Sequence, residues 1–348
     1  WTPGDDGNAG GKSIVLDDGK QVKENNVSIG ETVHFRLQIN TSNYVADKQI
    51  KEFIIEDTLP DGFDAAKITS VMIEEEPLEQ FENTTFPVTI PWAADEGESG
   101  WKNLYNTGAR ITIDYMAVLN DKAVIDGEGN KNSARFSWNY TTEEPGKSSI
   151  EDSTTTDTYA VVIQKVNEKG EALTGVEFEV PFPVQAEEES GVYTVKGGQT
   201  GTGKVKAGRD GAVMIKGLKM GDYKVTETKA PEGYLTDGVK EIEFSITENG
   251  KIADLTDESH SIYNQIKRGD LEGVKIGAGT HMRLANVPFK ITSKTTGESH
   301  IIVTDKNGQF STASDWASHK KNTNAGTFSE DGIWFGTSEP DDSKGALL

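Results

Sequence analysis

Residues 223–234 read YKVTETKAPEGY. As a strand running up to Pro231, this stretch turns Tyr223, Val225 and Glu227 to one face and Lys224, Thr226 and Thr228 to the other. The apolar row faces a core, so a carboxylate is sent inward with it, which is costly unless the acid is protonated or paired. Two other segments send polar groups inward in the same way. In YAVVIQKV (159–166) the row Tyr159, Val161, Ile163 continues into Lys165, and in SIYNQI (261–266) Asn264 follows Ile262. An amine, a carboxamide and an acid are thereby expected in one core.

Such a trio has a chemistry. Burial drives a Lys toward its neutral amine and a Glu toward its protonated acid. A neutral Lys165 amine can attack the Asn264 side-chain carbonyl while Glu227 hydrogen-bonds the carbonyl oxygen and relays protons. Ammonia leaves, and an amide joins the first strand to the last. YKVTETKAPEGY resembles the E-box (YxVxETxAPxGY) of collagen-adhesin B-type (CnaB) domains in Gram-positive surface proteins and pilins. Those domains are also similar in having a Lys near the start, here in IQKVNEKGEALTGVEFEV, and an Asn in the closing strand, here in IYNQIK. The resemblance covers about residues 158–267. It implies Lys165 and Asn264 as bonded partners and Glu227 as catalyst.

Composition fits an extracellular scaffold. The 348 residues allow two or three domains. Cys is absent, which removes disulfide staples, thiol catalysis and Cys-ligated zinc. With 57 acidic against 35 basic residues the formal net charge is −22, which argues against a nucleic-acid partner. Short alternating runs rich in Thr, Val, Ile and Gly, without long helical periodicity, predict an all-β chain. No leader peptide or long apolar run is visible, so the sequence reads as a mature or trimmed fragment without a membrane span.

The expected organisation is a flexible lead-in over 1–11, a first β-sandwich over 12–140, a polar linker and first strand over 141–157, a second sandwich over 158–267, and a third, truncated unit over 268–348. The third unit repeats the second locally. Leu173, Val176, Phe178 and Val180 parallel Leu284, Val287, Phe289 and Ile291, and each set follows a Lys, Lys165 or Lys275. It thus reads as CnaB-like or prealbumin-like, but no second E-box and no closing Asn strand follow Lys275.

The first sandwich applies the same logic with different motifs. Lys12 shares a face with Ile14 and Leu16, Asp57 with Phe53 and Ile55, and Asn132 with Ala134, Phe136 and Trp138. The runs VSIGETVHFRL, IIEDTLPDGF and GNKNSARFSWN are similar to the fimbrial isopeptide-forming pilin domain and to collagen-adhesin A-type sandwiches. That resemblance implies a Lys12–Asn132 bond promoted by Asp57. Lys20 and Lys23 stay open as alternative nucleophiles, and Glu74–Glu76 as alternative acids. Asp57 as a cap on the Pro60 turn, with Asn132 closing a hairpin, is the purely structural alternative.

Other signals point to ordinary structure. GQTGTGK (198–204) has phosphate-loop spacing, but Val205 replaces the Ser or Thr that would hold magnesium and a β-like segment follows. The five His residues have no metal-ligand spacing, and DGEGN (126–130) lacks the ligands of a calcium loop. Trp101, Trp316 and Trp334 fit core packing better than sugar stacking. No cofactor or metal is implied, and no turnover enzyme.

The resulting expectation is a set of tandem immunoglobulin-like β-sandwiches, a CnaA-like pilin domain followed by CnaB-like domains, self-stapled by Lys–Asn bonds. The role implied is a pilin subunit or an adhesin stalk, extracellular and wall-anchored, with neighbouring subunits and a sortase as partners. A sorting signal of LPxTG type and a YPKN-like polymerisation motif are not found. The alternative is an adhesin that binds a host matrix protein or glycan.

Overall fold

The computed structural model describes residues 11–125, 129–142, 149–167, 170–231, 233–234, 241–247, 250, 252–253, 261–264, 271–292, 294 and 299–311. Among these residues the chain is built of strands, with single 3-10 turns at Glu79–Phe81 and Gly97–Ser99. It divides into two compact units. One comprises Trp1–Val166, Ala172–Lys229 and Val239–Ile262, and the other Asn167–Glu171, Ala230–Gly238 and Tyr263–Leu348.

The first unit holds two sandwiches. In the first, one sheet runs in the order Gln21–Val22, Gly11–Val15, Thr32–Asn40, Arg110–Val118, Lys67–Ile73, Glu76–Pro77. The facing sheet runs Glu24–Asn26, Ser149–Asp157, Asn130–Tyr140, Lys48–Thr58, Tyr44–Val45. Strict alternation writes these strands: in Thr32–Asn40 the side chains of Val33, Phe35, Leu37 and Ile39 go in while those between them face outward. The two inner faces meet in an aromatic core, with Phe35 stacked on Tyr115 and Phe53 on Phe136.

The segment expected as a linker running into the second sandwich's first strand is a strand of the first sandwich instead. Ser149–Asp157 pairs antiparallel with Asn130–Tyr140, so the first sandwich continues to residue 157. Thr154 and Thr156 point inward and are buried. β-Branched Thr favours a strand by shape, whereas its hydroxyl makes the segment read as polar.

The second sandwich packs Val184–Ala186, Val192–Val195, Ala212–Leu218, Tyr159–Val166 and Ser261–Tyr263 as one sheet. The other is Gly203–Lys206, Glu177–Val180, Gly221–Lys229, Glu241–Ile246 and Ile252–Ala253. The first and closing strands are therefore neighbours.

A joint links the sandwiches. Ile29 N–H donates to the Gly217 carbonyl at 3.0 Å, and Gly197 N–H donates to the Ile29 carbonyl at 2.6 Å. Lys219 pairs with Glu31 at 2.8 Å. Glycine is required at both contacts. A Cβ on Gly217, which sits at φ +83°, would lie 2.6 Å from Ile29 Cδ1, and one on Gly197 would lie 2.6 Å from the Ile29 carbonyl oxygen.

The second unit repeats a corner of the second sandwich. Lys165 N–H donates to Gly211 O at 2.9 Å and Leu173 N–H to Lys165 O at 2.9 Å. Lys275 N–H donates to Gly308 O at 2.8 Å and Leu284 N–H to Lys275 O at 2.9 Å. The parallel seen in the sequence is thus carried by the same backbone triangle. Beyond it, Pro288–Thr292 pairs with Ser299–Val303, and Glu272–Val274 with Gln309–Ser311. Trp316 and Trp334 lie outside the described residues, as do 1–10 and 126–128.

Candidate functional site

Lys12 enters the first core from Gly11–Val15, Asp57 from Lys48–Thr58, and Asn132 from Asn130–Tyr140. Each is placed by the alternation that buries its apolar neighbours. Lys12 and Asn132 are each 1 % exposed. The Lys12 ammonium donates to Asp57 Oδ2 and also to the hydroxyl of Tyr115. Tyr115 in turn donates to Asp57 Oδ2 at 2.7 Å, and Asn132 Nδ2 donates to the Tyr115 oxygen at 3.1 Å. Among the described residues Asn132 Oδ1 accepts no hydrogen bond. A bare buried carbonyl is expensive, at about 1–3 kcal/mol, and is free to receive a donor.

Electrostatics favour reaction. Burial pulls the Lys12 amine down from its ordinary value to about 8, against the opposing pull of Asp57. Burial pushes the Asp57 acid up, against Lys12 and the hydrogen bonds it receives. Both shifts lower the cost of moving a proton from the amine to the acid, which yields the nucleophile and the proton carrier together.

The alternatives lie elsewhere. Lys23 donates to the Lys12 carbonyl at 2.6 Å and to Asp152 Oδ2 at 2.5 Å. The same Asp152 oxygen accepts the Lys12 backbone amide at 2.7 Å. Lys23 thus braces the backbone of Lys12 from behind. Lys20 and Glu74–Glu76 are on the surface. Tyr115 was not singled out in the sequence, because Ile111, Ile113, Tyr115 and Ala117 read as one plain core row; the signal available was a phenol in an aliphatic row, which needs a partner when buried.

In the second sandwich Lys165, fully buried, lies 2.9 Å from Glu227, whose side chain is 5 % exposed. Burial lowers the Lys165 amine and Glu227 opposes the shift. The Lys165 ammonium stands 6.0 Å from the Phe178 ring centre. Phe178 and Glu227 are cross-strand neighbours, and the register slips just before Phe178, at Glu177. Asn264 follows two residues after the buried Ile262 and is itself 2 % exposed.

The signals judged structural have structural places. Gly203–Lys206, at the end of GQTGTGK, is a strand, and among the described residues the next element is the strand Ala212–Leu218. Asn130 is a buried clamp that accepts the Val124 amide and donates to the Val124 and Thr156 carbonyls. Among the described residues no group of His, Cys, Asp and Glu is arranged to hold a metal, and no helix is long and apolar enough to cross a membrane.

Residues 159–259 match the family model of the SpaA prealbumin-like fold domain. The second sandwich is of that kind, and the chain has the tandem β-sandwich build found in Gram-positive pilins. Over 240 residues it is 25 % identical to the trypsin-resistant surface T6 protein of Streptococcus pyogenes serotype M6, covering 61 % of this chain and 41 % of that protein. The chain therefore spans less than half the length of this relative. The pilus 2b backbone protein of group B streptococcus shares the fold over 74 % of this chain and 98 % of its own, at a TM-score of 0.51 and 21 % identity.

Proposed function

We propose that this chain is a structural subunit of an extracellular Gram-positive pilus or surface shaft, closed by self-formed Lys–Asn isopeptide bonds. The observation that carries this reading is the burial of an amine against a carboxylic acid in each of two successive sandwiches, Lys12 with Asp57 and Lys165 with Glu227. Such pairs contribute little net stability, because desolvation offsets their attraction. They are, however, the arrangement that generates a neutral amine in a dry core.

In the first sandwich the acceptor is Asn132, and in the second Asn264. A new bond forms between Lys Nζ and Asn Cγ, and the Cγ–Nδ2 bond breaks. Two of the three ammonium protons pass to the departing nitrogen, which leaves as ammonium. Asp57 or Glu227 carries them. Each bond spans about 100 residues or more. A chain-entropy argument then gives roughly 4–5 kcal/mol for each. Mechanically, the tie in the second sandwich joins its first and closing ends, so a pull on them bypasses the sheets, whereas the tie in the first leaves Ser149–Asp157 outside the closed loop. Neighbouring subunits are the partners of such a shaft, and a sortase is the enzyme that would join them.

Intact mass under denaturing conditions tests the reading. Loss of one ammonia per bonded sandwich is expected. An unmodified mass for the whole chain would end it.

A further inference from the structure

We propose that Tyr115 is a catalytic residue of the first sandwich, carrying a proton between the Lys12 amine and the nitrogen that leaves Asn132. The proposal rests on the isopeptide reading above. A tyrosine hydroxyl offers one donor and two acceptor positions. All three are taken here by the reacting groups. Its oxygen receives the Lys12 ammonium and the Asn132 amide nitrogen, and its proton goes to Asp57 Oδ2 at 2.7 Å. It thus touches the nucleophile, the leaving group and the acid at once.

Without Tyr115, Asp57 would have to collect a proton at Lys12 and deliver it at Asn132 Nδ2 unaided. Tyr115 already bridges those two nitrogens through a single oxygen. After the amine adds to Cγ, the hydroxyl passes its proton to Nδ2 and takes one from Nζ or from Asp57, so that it ends as it began. Atoms balance as in the overall reaction, and no outside acid or base is needed. The hydroxyl's own acidity is strongly suppressed by burial and by Asp57. It therefore works as a neutral relay that gives and receives, not as a phenolate base. Phe35 and Phe86 pack against the ring and fix its position.

The test is Tyr115→Phe in the full chain, with both bonds followed by peptide mapping over time after expression. Expected is a slowing of the Lys12–Asn132 bond by about tenfold or more, leaving a free Lys12 side chain. The Lys165–Asn264 bond, an internal control for folding, should form as in the wild type. Full cross-linking of Lys12 in Tyr115→Phe at the wild-type rate overturns the proposal. If the wild type itself lacks the Lys12–Asn132 bond, the underlying reading fails instead, and this is seen before any variant is made. Should Tyr115→Phe misfold, a fluorinated tyrosine at 115 keeps the shape and the hydroxyl while making it more acidic. A changed rate of bond formation then supports proton carriage by the hydroxyl, and an unchanged rate across pH overturns it.

Discussion

Lys275 stands 6.0 Å from the centre of the Phe289 ring, the same separation as between Lys165 and Phe178. The local framework is repeated, but its cover is not. Leu173 is 7 % exposed, whereas its counterpart Leu284 is 37 % exposed and Met282 is 68 % exposed. Among the described residues of 271–311, Ile302 is the one fully buried apolar side chain. Limited trypsin treatment is therefore expected to cut within 271–311, at exposed Arg283 or Lys290, before it cuts either sandwich. Equal resistance of all three regions would show that the exposed row is covered in solution.

Glu227→Ala should leave Lys165 and Asn264 unlinked. Measured against the mass calculated from its own sequence, the variant should then lack the ammonia loss of the second sandwich. The second sandwich should remain folded but lose roughly 4–5 kcal/mol, read as a lower unfolding temperature. A variant that still loses the ammonia would remove Glu227 from the chemistry.

The first site should show a pH window. Lys12 and Asp57 titrate as a pair, and the reactive arrangement is neutral amine with protonated acid. Above about 8 the pair loses its shared proton, and at low pH it gains a second. Bond formation should therefore fall on both sides, with the alkaline limb near pH 8. A rate that keeps rising through pH 9 would exclude the acid from the reaction.

Stability of an unlinked first sandwich follows from the same groups. Asn132→Ala cannot form the bond, so Lys12 stays free to titrate. Its folded value lies below the unfolded one, so the unfolded chain binds more protons between about 8 and 10.5. Stability of this variant should rise with pH across that window, by on the order of 3 kcal/mol. Urea titrations at several pH values measure it, and a fall would contradict the burial of a charged Lys12.

Gly197→Ala places a methyl group against the Ile29 carbonyl without touching either core. The joint should open at a cost of about 1–3 kcal/mol. Small-angle scattering should report a broader distribution of angles between the sandwiches. An unchanged profile would mean that the joint shifts to fit.

Alternation made the positions of Lys12, Asp57 and Asn132 readable, because each breaks an apolar row in phase with its neighbours. The all-β class was readable for the same reason. Ser149–Asp157 was harder: a strand was expected there as the start of the second sandwich, and the inward-facing yet polar Thr154 and Thr156 gave no sign that it belongs to the first. Tyr115 was hidden the other way, as an aromatic in a row that already looked like core. The joint left no periodic trace, since Gly197 and Gly217 matter for what they lack. Asp152 sat in a stretch read as linker and could not be linked to Lys12 by any local pattern.

That last contact governs timing. The Lys12 backbone amide is held by Asp152, 140 residues further along the chain, on a strand of the facing sheet. Until that strand docks, the Lys12 amide lacks its Asp152 acceptor and Lys23 lacks its ion-pair partner. The Asp152 contact with Lys12 therefore depends on the strand that comes last in the first sandwich. On the isopeptide reading proposed above, cross-linking at Lys12 is expected only in molecules with Ser149–Asp157 in place.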